Sequence, residues 1–260
     1  MHNAFENTKA LYFDLAGTLC DIPIGNIWDD INLKGIEKVF EELGFFTAFT
    51  TEEIQAYKKE FVAQKAILRK KAKTDLYEYE IKQQISDFLF KIKSDDTKLQ
   101  KHLSQFTFND ELLLRLEHLF ISTELGITVS FPESREVLEA LNEKWEMHLL
   151  SNNASRMLVD EIVEKLDFGH LFEKTFVSAD IGYRKPHENF IRAVVEQTNH
   201  KPEECVMIGD RLTQDIQMAH DFGMKAIHAA MVEHADNTGA GEIPYDAQIR
   251  NLQELKELLL

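Results

Sequence analysis

The sequence predicts an α/β fold, a doubly wound parallel sheet core (Rossmann-like) with an inserted α-helical domain. Three observations predict it. Short, nearly continuous apolar runs recur along the chain, as strands buried on both faces require. Helical patterns, with apolar residues three and four apart, separate those runs. One long stretch, 21–130, is rich in Lys, Glu and Gln, poor in Gly and Pro, and mostly helical in period.

The first run is Ala10-Leu11-Tyr12-Phe13-Asp14-Leu15, followed by Gly17-Thr18. Within the long stretch, Ile54, Tyr57 and Phe61, and then Ile81, Ile85, Phe88 and Leu89, mark helices. Pro132 opens a helix carrying Val137, Leu138 and Leu141, since proline fits a first helical turn. The strand Glu146–Ser151 comes next, then a helix through Met157, Ile162, Val163 and Leu166. Strand Thr175–Ala179 precedes a helix opened by Pro186, with Phe190, Ile191, Val194 and Val195 on its apolar face. Strand Cys205–Gly209 leads to a helix through Ile216, Met218, Ala219 and Phe222 that Gly223 stops. Strand Met224–His228, a short strand Gln248-Ile249 and a terminal helix finish the chain. This alternation is the doubly wound pattern. Residues 1–20 and 131–260 are expected to form the core, and 21–130 a helical cap.

The 260 residues suffice for a core and a smaller lobe. With 29 basic and 45 acidic residues the formal charge is −16, which argues against non-specific nucleic acid or anionic membrane as partners. Cys20 and Cys205 form no CxxC pair, so neither a zinc signature nor a disulfide framework is expected. The N-terminus lacks a secretory pattern, and no apolar run nears the ~18 residues of a membrane span. The expected location is cytoplasmic.

Ligands of open α/β sheets bind at the carboxyl ends of the strands. Asp14, Ser151-Asn152 and Asp210 each close a strand run, Lys185 precedes Pro186, and Asp215 follows Asp210 by five residues. A strand-end carboxylate such as Asp14 can attack phosphorus. Clustered carboxylates supply the hard oxygen ligands suited to Mg2+, and an ammonium offsets the remaining negative charge. Thr18, Ser151 and Asn152 can donate hydrogen bonds to phosphoryl oxygens.

The segments FDLAGTL, LLSNNA, RKP and IGDRLTQDI resemble, in order and spacing, the four motifs of haloacid dehalogenase-like hydrolases. The resemblance spans the core, and the insert sits where that superfamily places a helical cap. It implies Asp14 as nucleophile and Lys185 as its catalytic partner. Thr18, Ser151, Asn152 and Lys185 would hold the phosphoryl group. Mg2+ would be bound by Asp14, the Ala16 carbonyl and Asp210, with Asp215 as a further candidate. The substrate would be a small phosphorylated metabolite.

One residue departs from that pattern. Phosphatases of this kind carry a second Asp two residues after the nucleophile, where this chain has Ala16. That Asp is a general acid and base, a role typically worth ~10²–10⁴-fold in rate. Four readings follow: a Mg2+-dependent phosphatase with impaired proton transfer; C–P cleavage similar to that of phosphonoacetaldehyde hydrolases; an introduced substitution that traps the substrate or acyl phosphate; or a non-catalytic phosphate- and metal-binding homologue. The second reading needs a cap lysine, and Lys58, Lys59, Lys65, Lys70 and Lys71 are the candidates. A metal-free dehalogenase fits the Asp210/Asp215 pair less well. Phe45, Phe46 and Phe49 are expected to pack the cap, and Arg69–Lys73 to be a solvated helix face. The ten histidines show no HExxH spacing and no evident metal cluster.

Overall fold

Residues 5–23, 28–233 and 243–260 are described by a computed structural model. The N-terminal residues 1–4, on which the leader reading partly rests, lie outside them.

Six strands form one parallel sheet: β1 (Ala10–Phe13), β4 (Glu146–Ser151), β5 (Lys174–Val177), β6 (Cys205–Gly209), β7 (Lys225–Ala229) and β8 (Ala247–Ile249). Their spatial order is β5-β4-β1-β6-β7-β8, and every pairing is parallel. The chain builds outward from β1 in one direction and then, from β6, in the other. The crevice between β1 and β6 is therefore the topological switch point, where such sheets bind ligands.

Alternation along each strand produces the two layers. Leu11, Phe13, Leu149, Val206, Ile208 and Ile227 face one apolar cluster. It also takes up α7 (Ser134–Asn142), α8 (Arg156–Lys165) and α12 (Leu252–Leu259). Ala10, Tyr12, Leu150, Cys205, Met207 and Ala226 face the other cluster, with α10 (Glu188–Thr198) and α11 (Met218–Asp221). Capping sets the helix starts. Ser155 accepts a hydrogen bond from the Leu158 N–H, and Asn251 does the same for Glu254.

Several expected boundaries move by one or two residues. The first strand ends at Phe13, so Asp14 and Leu15 have already left the sheet. The third run becomes Lys174–Val177, because Ser178–Ile181 winds into the short helix α9. Pro132 and Pro186 stand just before their helices rather than inside the first turn. The helix expected around Ile216 opens as a π-helical turn, Leu212–Gln217, before α11 begins.

Among the described residues the insert holds six helices: α1 (Trp28–Glu42), α2 (Phe45–Ala48), α3 (Thr51–Ala72), α4 (Ile81–Asp95), α5 (Thr97–Leu103) and α6 (Asp110–Ile127). The chain enters and leaves it through an antiparallel pair, β2 (Cys20–Asp21) with β3 (Val129–Ser130). Phe45 is fully buried and stacks on Phe40 at 4.4 Å, and Phe49 packs beside it at 5.0 Å. Phe46 instead faces solvent. Cys20 and Cys205 are free and buried. Among the described residues no helix is long and apolar enough to cross a membrane.

Phe13 is fully buried and meets Phe172 edge-on at 6.0 Å. Phe13→Ala should destabilise the fold by about 3–5 kcal/mol in urea denaturation. A loss below about 1 kcal/mol would show that the β1 face is not packed as described.

Candidate active site

The loops at the carboxyl edge of the sheet surround a cleft of about 140 Å³. Asp14 begins the turn after β1, and its N–H donates to the Ile208 carbonyl of β6 at 2.9 Å, the last rung between the two strands. The Asp14 carboxylate opens into the cleft, and Asp210 enters from the end of β6. The π-helical turn brings Asp215 back to the same place, where its Oδ2 accepts the Arg211 N–H at 3.0 Å. Such widened turns recur at functional sites. Carboxylate oxygens of Asp14, Asp210 and Asp215 lie within 4.8 Å of one another.

Two glycines allow this crowding. Gly17 has φ +90, and a Cβ there would stand 2.0 Å from Asp210 Oδ2. At Gly209 a Cβ would stand 2.5 Å from the Asp215 carboxyl group. No other residue fits either position without displacing a carboxylate.

Lys185 crosses this cluster and is 2% exposed. Its ammonium donates to Asp14 Oδ1 at 2.6 Å and to the Leu150 carbonyl at 2.8 Å, and pairs with Asp215 Oδ1 at 2.7 Å. Burial works against the charge, but Asp14 and Asp215 outweigh it and hold the lysine pKa above its usual value. Burial pushes Asp14 up to about 6, opposed by Lys185 and reinforced by Asp210. Burial likewise raises Asp215 to about 6, opposed by Lys185 and reinforced by Asp14.

The other expected residues divide. Ser151, Asn152 and Ala16 line the cleft. The Asn152 side chain accepts from the Lys185 N–H at 2.7 Å and donates to the Lys185 carbonyl at 3.1 Å and to Gln214 Oε1 at 2.9 Å. It grips the backbone that carries the lysine. Thr18 is fully buried, and its hydroxyl has no hydrogen-bond partner among the described residues.

Arg184, Arg211, Gln214 and Glu124 also border the cleft and did not stand out in the sequence. The Arg in RKP was the available signal for Arg184. The insert holds that residue: the Arg184 N–H donates to the Leu76 carbonyl at 2.8 Å, and its Nε lies 3.4 Å from buried Glu78. Of the candidate cap lysines, Lys58 is buried in an ion pair with Glu37, while Lys59, Lys70 and Lys71 are exposed. None of these four borders the cleft, and the Lys65 side chain lies outside the described residues.

The cluster fits a divalent cation. Three buried carboxylates converge, Asp14 and Asp215 on the Lys185 ammonium and Asp210 with the Arg211 Nε 3.8 Å away, and their oxygens are the hard donors Mg2+ prefers.

Comparison with known proteins agrees with this layout. The haloacid dehalogenase-like hydrolase family matches residues 8–223. A glyceraldehyde 3-phosphate phosphatase of Pyrococcus furiosus is 29% identical over 174 residues, covering 62% of this chain and 72% of that protein. The fold is shared with a 2-haloacid dehalogenase of Pseudomonas syringae (TM-score 0.64, 21% identity, 97% and 98% of the two chains covered). A haloacid dehalogenase-like phosphatase of Thermococcus onnurineus shares it too (TM-score 0.60, 19% identity, 97% and 98% covered).

A cation held by Asp14 and Asp215 competes with their protons. Because both carboxyls titrate near 6, divalent-ion affinity should fall as pH drops from 7.5 to 5. The fall approaches about tenfold per pH unit for each proton displaced. Calorimetric titration with Mn2+ at the two pH values reads this directly, and equal affinities would count against the cluster as the ion's site.

Proposed function

The chain belongs to the haloacid dehalogenase-like hydrolases, and from that premise we propose that it is a Mg2+-dependent phosphatase of small phosphorylated metabolites with Asp14 as nucleophile. The observation that carries this reading is the convergence of three buried carboxylates, Asp14, Asp210 and Asp215, whose oxygens lie within 4.8 Å of one another. An array of this kind is costly to bury unless a cation completes it. A scaffold that only needed to fold would be better served by apolar residues.

Asp14 Oδ1 is taken by Lys185, so Oδ2 is the attacking oxygen. It bonds to phosphorus as the ester P–O bond breaks, giving an aspartyl phosphate and an alkoxide. Water then attacks phosphorus, inorganic phosphate leaves, and the Asp14 carboxylate is restored. Asp14, Asp210 and the Ala16 carbonyl, with Asp215 beside them, would hold Mg2+, which would supply the positive charge that lets carboxylate and phosphate dianion approach. Lys185 keeps Asp14 ionised and oriented, and Asn152 fixes the backbone of Lys185. Ser151 donates to the phosphoryl oxygens from the cleft wall, and Thr18 carries a buried hydroxyl with no partner among the described residues in the turn after Asp14.

Ala16 supplies no proton to the alkoxide and no base to the attacking water. The metal-binding carbonyl survives this substitution, and proton transfer does not. The enzyme is therefore slow on poor leaving groups and least impaired on activated ones. The small cleft and the Pyrococcus relative both favour a short sugar phosphate as substrate. Residues 1–20 and 131–260 carry the chemistry, and 21–130 act as the cap. The C–P reading is weaker, since none of Lys58, Lys59, Lys70 and Lys71 reaches the cleft.

Ala16→Asp should raise kcat on alkyl phosphates by about 10²–10⁴-fold, with a much smaller gain on aryl phosphates. Asp14→Asn should abolish turnover in either background. Activity that survives Asp14→Asn, or an Ala16→Asp enzyme no faster than its parent, would overturn the reading.

A further inference from the structure

The histidines were expected to form no metal cluster, yet the fold gathers two of them with a carboxylate at the opposite edge of the sheet. Glu146 and His148 lie two residues apart in β4, so both side chains emerge on the same face. That face also carries Tyr12, whose ring centroid is 5.0 Å from that of His148. His200 follows α10 by two residues and comes from the connection into β6. Glu146 Oε1 is 2.9 Å from His148 Nε2, and Glu146 Oε2 is 3.2 Å from His200 Nε2. All three donor atoms fall within 4.8 Å of one another.

Glu146 thus lies within ion-pair distance of both rings, although full burial works against a charged His148. Both ring nitrogens of His148 and Nε2 of His200 are buried without a hydrogen-bond partner among the described residues. The His148 side chain is wholly inaccessible, and leaving its polar atoms unsatisfied costs about 1–3 kcal/mol each. A shared cation would satisfy Nε2 of both rings, the two nitrogens that meet Glu146. Zinc bonds of about 2.0–2.1 Å to nitrogen and oxygen put tetrahedral donors about 3.3 Å apart, close to the two separations observed. Glu146 and His200 are 40% and 16% exposed, which leaves an approach for the ion and a water as fourth ligand.

We propose that Glu146, His148 and His200 form a second metal site, selective for a zinc-like first-row divalent cation and distinct from the catalytic carboxylates. Imidazole nitrogens favour such ions over Mg2+, whereas the all-oxygen cluster at Asp14 favours Mg2+. Glu146 opens β4 and Ser151 closes it, so the two sites are about 16 Å apart along the strand. The ion ties the start of β4 to the connection between α10 and β6. Tyr12, which donates to Thr198 at 2.8 Å, packs against the same spot.

Cobalt substitution tests this in the full chain with Mg2+ in excess. Wild-type protein titrated with Co2+ should develop, at one equivalent, the intense visible bands of a low-coordinate, nitrogen-ligated ion, and Zn2+ should abolish them. Oxygen-ligated octahedral cobalt at the carboxylate cluster gives only weak bands. His200→Ala and Glu146→Gln should each retain the far-UV circular dichroism of the parent. Both should weaken Co2+ binding beyond the ~10–100-fold that losing an outer partner costs. Wild-type protein without intense bands, or either variant showing them at parental affinity, would overturn the proposal. Because the readout is spectroscopic, it stands whether or not Asp14 proves to be the nucleophile.

Discussion

A single buried ammonium organises the catalytic edge of this protein. Lys185 lies among Asp14, Asp215 and the Leu150 carbonyl, with Asp210 closing the cluster. Burying one charge alone would be prohibitive, and burying this set is tolerable only because each partner depends on the others. The surrounding structure serves that arrangement. Gly17 and Gly209 remove the Cβ atoms that would collide with Asp210 and Asp215. Asn152 clamps the backbone on both sides of Lys185. The switch point between β1 and β6 places the first and last carboxylates on opposite lips of one crevice.

The convergence of carboxylates also explains how the proposed site would tolerate Ala16. The groups that would hold a cation come from several strand ends, so they do not depend on that side chain. Proton transfer would come from one position, and there the methyl group contributes nothing. On the proposed mechanism the consequence is a separation of functions: binding and charge neutralisation are kept, while the steps that need a proton relay, including departure of a poor leaving group, are slowed.

Much of this was legible in the sequence, because a parallel sheet writes itself as apolar runs punctuated by polar residues at strand ends. Asp14, Ser151 and Asp210 were found that way. What escaped is the placement that irregular backbone and long-range packing give, even for residues such as Asp215 and Asn152 that the sequence singles out. Asp215 depends on a π-helical turn that no 3.6-residue period reveals. Asn152 reads as a phosphate donor, but its amide is spent on the Lys185 backbone and Gln214. Arg184 owes its position to an insert segment about a hundred residues away, through Leu76 and Glu78. His200 meets Glu146 and His148 only once α10 has packed beneath the sheet.

The central claim is that Asp14 accepts the phosphoryl group. Acid quenching during turnover of an aryl phosphate with Mg2+, followed by peptide mass spectrometry, tests it most directly. The account predicts one phosphoryl group on the peptide containing Asp14, accumulating because Ala16 leaves its hydrolysis slow. Turnover with that peptide unmodified, or with the label on another residue, would contradict it.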